Sequence, residues 1–137
     1  MTELEQYIQT YFDARTEDLA AIASAFTYKT VSKGDYLLKE QRPCTQLSFI
    51  KAGLVRIYAN KNDKEVTQWI STPGYFVTDL ASFIFNTPAR WNMQALTDCE
   101  LYTIDKNNYD ALGNNIPEWH KLEKLFLPNA LSYWKKG

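Results

Sequence analysis

Few residues of this sequence are of the types that carry out catalysis or bind metals. His120 is the only histidine, and Cys44 and Cys99 are the only cysteines. A catalytic metal site needs several converging ligands, a hydrolytic triad needs a histidine beside its nucleophile, and an iron–sulfur cluster needs four cysteines. No spacing in the chain supplies such a set. We therefore predict no catalytic residues and no metal site, and we interpret His120 as a helix-surface or interface residue.

One segment, residues 73–92, has the residue types of an anion site. A Pro-Gly turn and a short apolar strand lead to Thr78 and Asp79, which we expect to open one helical turn. Amides at the start of a helix carry partial positive charge, and an arginine adds a forked contact for phosphate. We predict that Arg90, after a turn at Thr87-Pro88, closes over the same place. Alternatively, the apolar side chains of the segment are only core, and Arg90 pairs with a surface carboxylate.

The elements around that segment follow from the spacing of apolar residues. Steps of three and four residues predict one helix over residues 4–12 and a second helix that Thr16 caps. From Tyr28 the pattern changes to short runs rich in β-branched and aromatic residues, separated by turn residues. We predict strands at residues 28–31, 36–39, 47–52, 54–59, 66–71, 92–96 and 100–104, and a last helix from Pro117. The order indicates a mainly β protein with flanking helices, a jelly roll or β-roll with a C-terminal helix.

Length and charge narrow the class of protein further. We expect the 137 residues to form a single domain, with N-terminal helices at 1–26, a β-roll at 27–105 and C-terminal helices at 106–137. The net charge of −1 offers no basic face, so we expect no nucleic acid to bind this chain itself. No apolar run approaches the ~20 residues of a membrane span. The first residues lack a signal-peptide pattern, and we expect a cytoplasmic protein without membrane contact.

Five stretches of the chain, taken in order, resemble the cyclic nucleotide-binding domain family in the form found in Crp/Fnr-type regulators. LSFIKAGLVRIY at residues 47–58 resembles the family's hairpin, and DKEVTQW at 63–69 resembles the strand that follows. Residues 73–92 fall where the family carries its phosphate-binding cassette. DCELYTID at 98–105 resembles the closing strand, and residues 109–119 resemble the approach to the family's C-helix. The match spans nearly the whole chain and implies the β-roll fold.

The resemblance also implies a ligand site. In nucleotide-binding members the cassette reads roughly Phe-Gly-Glu-x-(Ala/Gly)-Leu and then Arg-(Ser/Thr)-Ala; the glutamate holds the ribose, while the arginine and backbone amides hold the cyclic phosphate. Here Thr78 stands at the glycine, Asp79 at the glutamate and Trp91 at the small hydroxyl residue, and Gln41 replaces a glycine after the second strand. An alignment one residue along would leave no arginine. The implied ligand-binding residues are Gly74, Phe76, Thr78, Asp79, Leu80, Ser82, Arg90 and Trp91.

By resemblance, the chain is the effector-sensing and dimerising domain of a Crp/Fnr-family transcription regulator, with a cyclic nucleotide or another small anion as effector. The altered cassette nevertheless predicts that neither cAMP nor cGMP stabilises it. We expect a homodimer through the apolar stripe of Trp119, Leu122, Leu125 and Phe126, weakened by Pro128. DNA would bind through a helix-turn-helix domain absent from this chain. Two alternatives are a ligand-free interaction module with a degenerate pocket and a small cupin-like enzyme.

Overall fold

Helices begin the chain in the computed structural model, which describes residues 1–124. Helix α1 spans Glu3–Phe12, and its first turn carries a capping box in which Thr2 and Glu5 bond each other's backbone amides. Helix α2 spans Thr16–Ser24. The prediction that Thr16 caps α2 is wrong by one position. Arg15 is the cap residue and makes no side-chain cap bond; its guanidinium instead pairs with Asp18 at 3.1 Å.

Eight strands and the helices α3 and α4 follow within residues 1–115. The strands are β1 Thr27–Val31, β2 Tyr36–Leu38, β3 Gln46–Ala52, β4 Val55–Lys61, β5 Lys64–Ser71, β6 Phe76–Val77, β7 Asn92–Ala95 and β8 Cys99–Asp105; the helices are α3 Leu80–Phe85, between β6 and β7, and α4 Lys106–Asn115. The strands form two four-stranded sheets, ordered β1-β8-β3-β6 and β2-β7-β4-β5. The predicted mainly β fold with flanking helices is confirmed.

The described residues divide by their contacts into two compact units, residues 28–103 and residues 1–27 with 104–124. In the first unit, β4 has Val55 and Ile57 fully buried on either side of the half-buried Arg56, as expected for side chains that alternate between the two faces of a strand. Asn62 and Asp63 both adopt left-handed backbone and form the two-residue turn between β4 and β5.

Three aromatic rings pack together in the helical unit. The Trp119 ring stacks on Phe12 with 5.3 Å between ring centroids and meets Tyr109 edge-on at 5.5 Å. Residues 119–124 are helical again after a turn at 117–118, close to the start predicted at Pro117. Leu125, Phe126 and Pro128 lie outside the described residues.

Candidate ligand-binding site

The 73–92 segment folds as a turn, a short strand, a short helix and a return to strand β7. Gly74 has φ +91°, a left-handed backbone that glycine adopts without strain, and its amide donates to the Ile50 carbonyl at 2.8 Å. Strand β6 pairs antiparallel with β3, with Phe76 opposite Phe49. Asp79 then opens α3 as its N-cap, so the helical turn predicted after Thr78 and Asp79 is present.

The carboxylate of Asp79 bonds two backbone amides of its own segment. One oxygen accepts from the amide of Ser82 at 3.2 Å, and the other accepts from the amide of Arg90 at 2.8 Å. Asp79 is only 3% exposed. Both oxygens of this buried carboxylate are therefore hydrogen-bonded, one to an amide three residues away along the chain and the other to an amide eleven residues away.

Thr78 and Ser82 bond the same segment to the start of β3 and to the loop before it. The Thr78 hydroxyl donates to the Gln46 carbonyl at 3.1 Å and lies 3.3 Å from the Cys44 sulfur. The Ser82 hydroxyl accepts from the Cys44 amide at 2.8 Å. Both hydroxyls are buried, so these bonds are shielded from water. Sequence reasoning missed Cys44 and Gln46, because their contacts join residues more than thirty positions apart.

Arg90 reaches this site with its backbone and not with its side chain. Its amide bonds Asp79, whereas its side chain is exposed and forms no ion pair with a carboxylate of residues 1–124. The neighbouring Ala89 is fully buried. The contact that the structure shows at the start of α3 is thus made by the Arg90 backbone, and the guanidinium contact to an anion stays a prediction. The expected alternative, an ion pair to a surface carboxylate, is not found within that range.

A small cavity lies beside the segment in the β unit. Its volume is about 60 Å³, and its lining contains no charged side chain; the lining residues are Leu37, Leu38, Pro43, Cys44, Thr45, Gln46, Ser48, Val77 and Met93. Of the residues predicted to bind a ligand, none is in this lining. Trp91 is half-buried, and Phe85, at the end of α3, is 74% exposed.

Gln41 adopts an unusual backbone at the edge of the same site. Its φ is +71°, in the region that favours glycine. Its amide donates to the Ala89 carbonyl at 2.8 Å, and the Ala89 amide donates back to the Arg42 carbonyl at the same distance. This pairing holds the 41–44 loop against the end of the 73–92 segment.

Residues 1–124 contain no group of three or more His, Cys, Asp or Glu side chains placed to hold a metal ion. His120 is exposed within the helical residues 119–124, on a helix surface as expected. No helix of the described range is long and apolar enough to serve as a membrane span.

Comparisons with known proteins give one family and several similar folds. Residues 28–115 match the family model described as the cyclic nucleotide-binding domain. The N-terminal domain of a transcriptional regulator from Streptomyces coelicolor A3(2) superposes with a TM-score of 0.77 at 20% identity, covering 99% of this chain and 94% of that chain. The catabolite activator protein of Thermus thermophilus gives a TM-score of 0.77 at 18% identity, covering 93% and 59%.

A third similar structure is the regulatory domain of Toxoplasma gondii PKA, solved with cAMP. It gives a TM-score of 0.72 at 19% identity, covering 80% of this chain and 42% of that chain. At these identities the likeness is one of fold. The chain spans less than two thirds of the Thermus and Toxoplasma chains. Comparison with curated protein sequences gives no match.

Proposed function

Since the chain belongs to the cyclic nucleotide-binding domain family, we propose that it is the regulatory domain of a Crp/Fnr-type transcription regulator that works without a cyclic nucleotide. The fold it shares with the N-terminal domain of the Streptomyces transcriptional regulator supports the regulatory part of this proposal. In such a protein, DNA binding belongs to a separate domain, and a homodimer would join two copies of the regulatory domain.

The observation that carries the proposal is that the Asp79 carboxylate already engages two amides of the 73–92 segment, accepting from Ser82 at 3.2 Å and from Arg90 at 2.8 Å. Sites for small molecules commonly enclose about 300–1,000 Å³. The cavity beside the segment, of about 60 Å³, and a pocket of about 190 Å³ that shares Leu37, Leu38 and Pro43 with it are both smaller, although Lys39 and Arg42 line the second. A pocket of about 360 Å³ is lined by Asp98 and Glu100 and by none of the residues 73–92.

The charges around the 73–92 segment support the same proposal. A cyclic phosphate needs a cation and free amides, as the family resemblance implies for Arg90 and the start of α3. Here the Arg90 side chain is exposed, and the Asp79 carboxylate already accepts the Ser82 and Arg90 amides. A phosphate would have to displace the Asp79 carboxylate from these two amides.

A melting scan with cyclic mono- and dinucleotides tests the proposal. A ligand present at 100 times its dissociation constant adds about 2.7 kcal/mol to the free energy of unfolding, worth several degrees in a domain of this size. We expect no shift with cAMP or cGMP at millimolar concentration. The regulatory domain of Toxoplasma PKA, solved with cAMP, is the positive control. A reproducible rise of several degrees for the present chain would overturn the proposal.

A second candidate function is a ligand-free interaction module. Phe85 is 74% exposed, and the exposed Arg90 lies a few residues further along the same segment. Aromatic and arginine side chains are enriched where proteins contact one another. This candidate shares with the first the prediction that no nucleotide binds. The two candidates differ in the Phe85→Ser variant. If the chain is an interaction module, this variant should lose the regulatory effect of the whole protein while keeping the melting temperature.

A further inference from the structure

We propose that Asp79 is a built-in substitute for a bound ligand: its carboxylate clamps the two ends of the α3 region and keeps the 73–92 segment ordered when nothing is bound. This inference rests on the proposed function, because a regulatory domain that works without an effector must order this segment by itself. The proposal assigns Asp79 a positioning role.

The two hydrogen bonds of the Asp79 carboxylate reach different distances along the chain. An ordinary N-cap aspartate accepts an amide in the first turn of its own helix, as Asp79 does with Ser82 at 3.2 Å. The second oxygen accepts from Arg90 at 2.8 Å, beyond the end of α3 at Phe85 and beyond the turn that follows. One side chain therefore bonds an amide eleven positions further along the chain.

Both of these hydrogen bonds are strong because a buried carboxylate accepts them. Hydrogen bonds from amides to an ionised carboxylate are shorter and stronger than bonds between neutral groups. Asp79 is 3% exposed, so water competes little for its oxygens. The helix of six residues is too short to be stable by itself, and it depends on such fixed contacts at its ends.

Asp79 acts together with the hydroxyls of Thr78 and Ser82. The Ser82 hydroxyl accepts from the Cys44 amide, and the Thr78 hydroxyl donates to the Gln46 carbonyl, so both residues bond the segment to Cys44 and to the first residue of β3. The segment is thus held by the Asp79 carboxylate together with two hydroxyls.

Residue-resolved amide hydrogen exchange, measured without nucleotide, tests the clamp. In Asp79→Ala we expect exchange at both Ser82 and Arg90 to become roughly tenfold faster or more, because each amide loses the carboxylate oxygen to which it donates. Asp79→Asn has a single acceptor oxygen and should protect one of these two amides but not both. This second variant retains the cap if the alanine variant fails to fold.

Asp105→Ala is the matched control. Asp105 is the N-cap of α4, and its side chain accepts the local amide of Asn108 at 2.8 Å. Its loss should speed exchange in the first turn of α4 alone. Unchanged exchange at Arg90 in Asp79→Ala, or a uniform rise throughout the β unit, would overturn the clamp. A nucleotide-induced melting shift of the wild type would instead overturn the proposed function and would leave the exchange result standing.

Discussion

At the scale of single residues, Gln41 shows how this site departs from the family pattern. The resemblance places a glycine at this position, and Gln41 adopts a φ of +71° there. A side chain with a Cβ pays about 1–2 kcal/mol for left-handed backbone. The loop keeps this conformation because its amide is bonded to Ala89.

We predict that Gln41→Gly raises the free energy of unfolding by ~0.5–1 kcal/mol. Relief of the left-handed strain exceeds the ~0.5–1 kcal/mol that glycine costs in chain entropy. Urea unfolding measures the difference. The control is Gln6→Gly on the exposed surface of α1, which should lower stability by about 1 kcal/mol because glycine is a poor helix former. A loss of stability in Gln41→Gly would show that the backbone at residue 41 is unstrained.

The residue scale is also where sequence reasoning met its limit. Sequence reasoning identified Thr78, Asp79 and Arg90 as candidate site residues of the 73–92 segment, because their side chains are polar or charged. It could not predict which way Arg90 faces. Side chains alternate between faces in extended chain, so a shift of one residue exchanges a buried Ala89 for a buried Arg90. The two alignments left open in the sequence differ by that single step.

At the scale of elements, the strands were largely predictable, and the contacts between loops were not. Runs such as Leu47–Ala52 follow a local pattern of apolar residues and turns, which sequence carries directly. The bonds of Cys44 to Ser82 and Thr78 depend on how distant loops meet, and no local pattern records that. The closing of the 73–92 segment by a backbone amide was unpredictable for the same reason.

A hydrogen bond between two tyrosine side chains on one sheet makes the free energy of unfolding depend on pH. Tyr36 on β2 and Tyr58 on β4 lie with their hydroxyl oxygens 2.7 Å apart. Burial, and then the bond to Tyr36, raise the pKa of Tyr58 to about 12 from the ordinary value of 10.0. The folded state therefore holds this proton more tightly than the unfolded chain does.

We predict a loss of stability between about pH 10 and pH 12. Below pH 10 the tyrosine is protonated in both states and its contribution is complete; above pH 10 the unfolded chain ionises first, so the free energy of unfolding falls as pH rises. Unfolding curves at successive pH values measure this slope. Tyr58→Phe should lose less stability over the same interval. An equal slope in both proteins would contradict the assignment.

At the scale of the whole molecule, two residues of the predicted dimer stripe are buried within their own chain. Trp119 is 4% exposed and Leu122 is 5% exposed, and the Trp119 ring is covered by Phe12 and Tyr109 of its own chain. These two residues offer a second copy little surface. The homodimer remains a prediction that now depends on Leu125 and Phe126, which lie outside the described residues.

Light scattering across a dilution series separates the two roles. We expect the wild type to associate weakly at micromolar concentration and Phe126→Glu to remain monomeric with an unchanged melting temperature. Leu122→Glu should lower stability by at least the roughly 2–5 kcal/mol typical of losing a buried leucine side chain, whatever its mass in solution. A wild-type chain that stays monomeric at high concentration would contradict the dimer.

The central claim is that the β-roll regulates without a cyclic nucleotide at the 73–92 segment. An NMR titration with cAMP follows the amides that a ligand would have to engage, those of Ser82, Arg90 and Cys44. We predict that their chemical shifts stay constant up to millimolar cAMP, because Asp79 and Ser82 already hold them. Saturable shifts at these three amides would contradict the account.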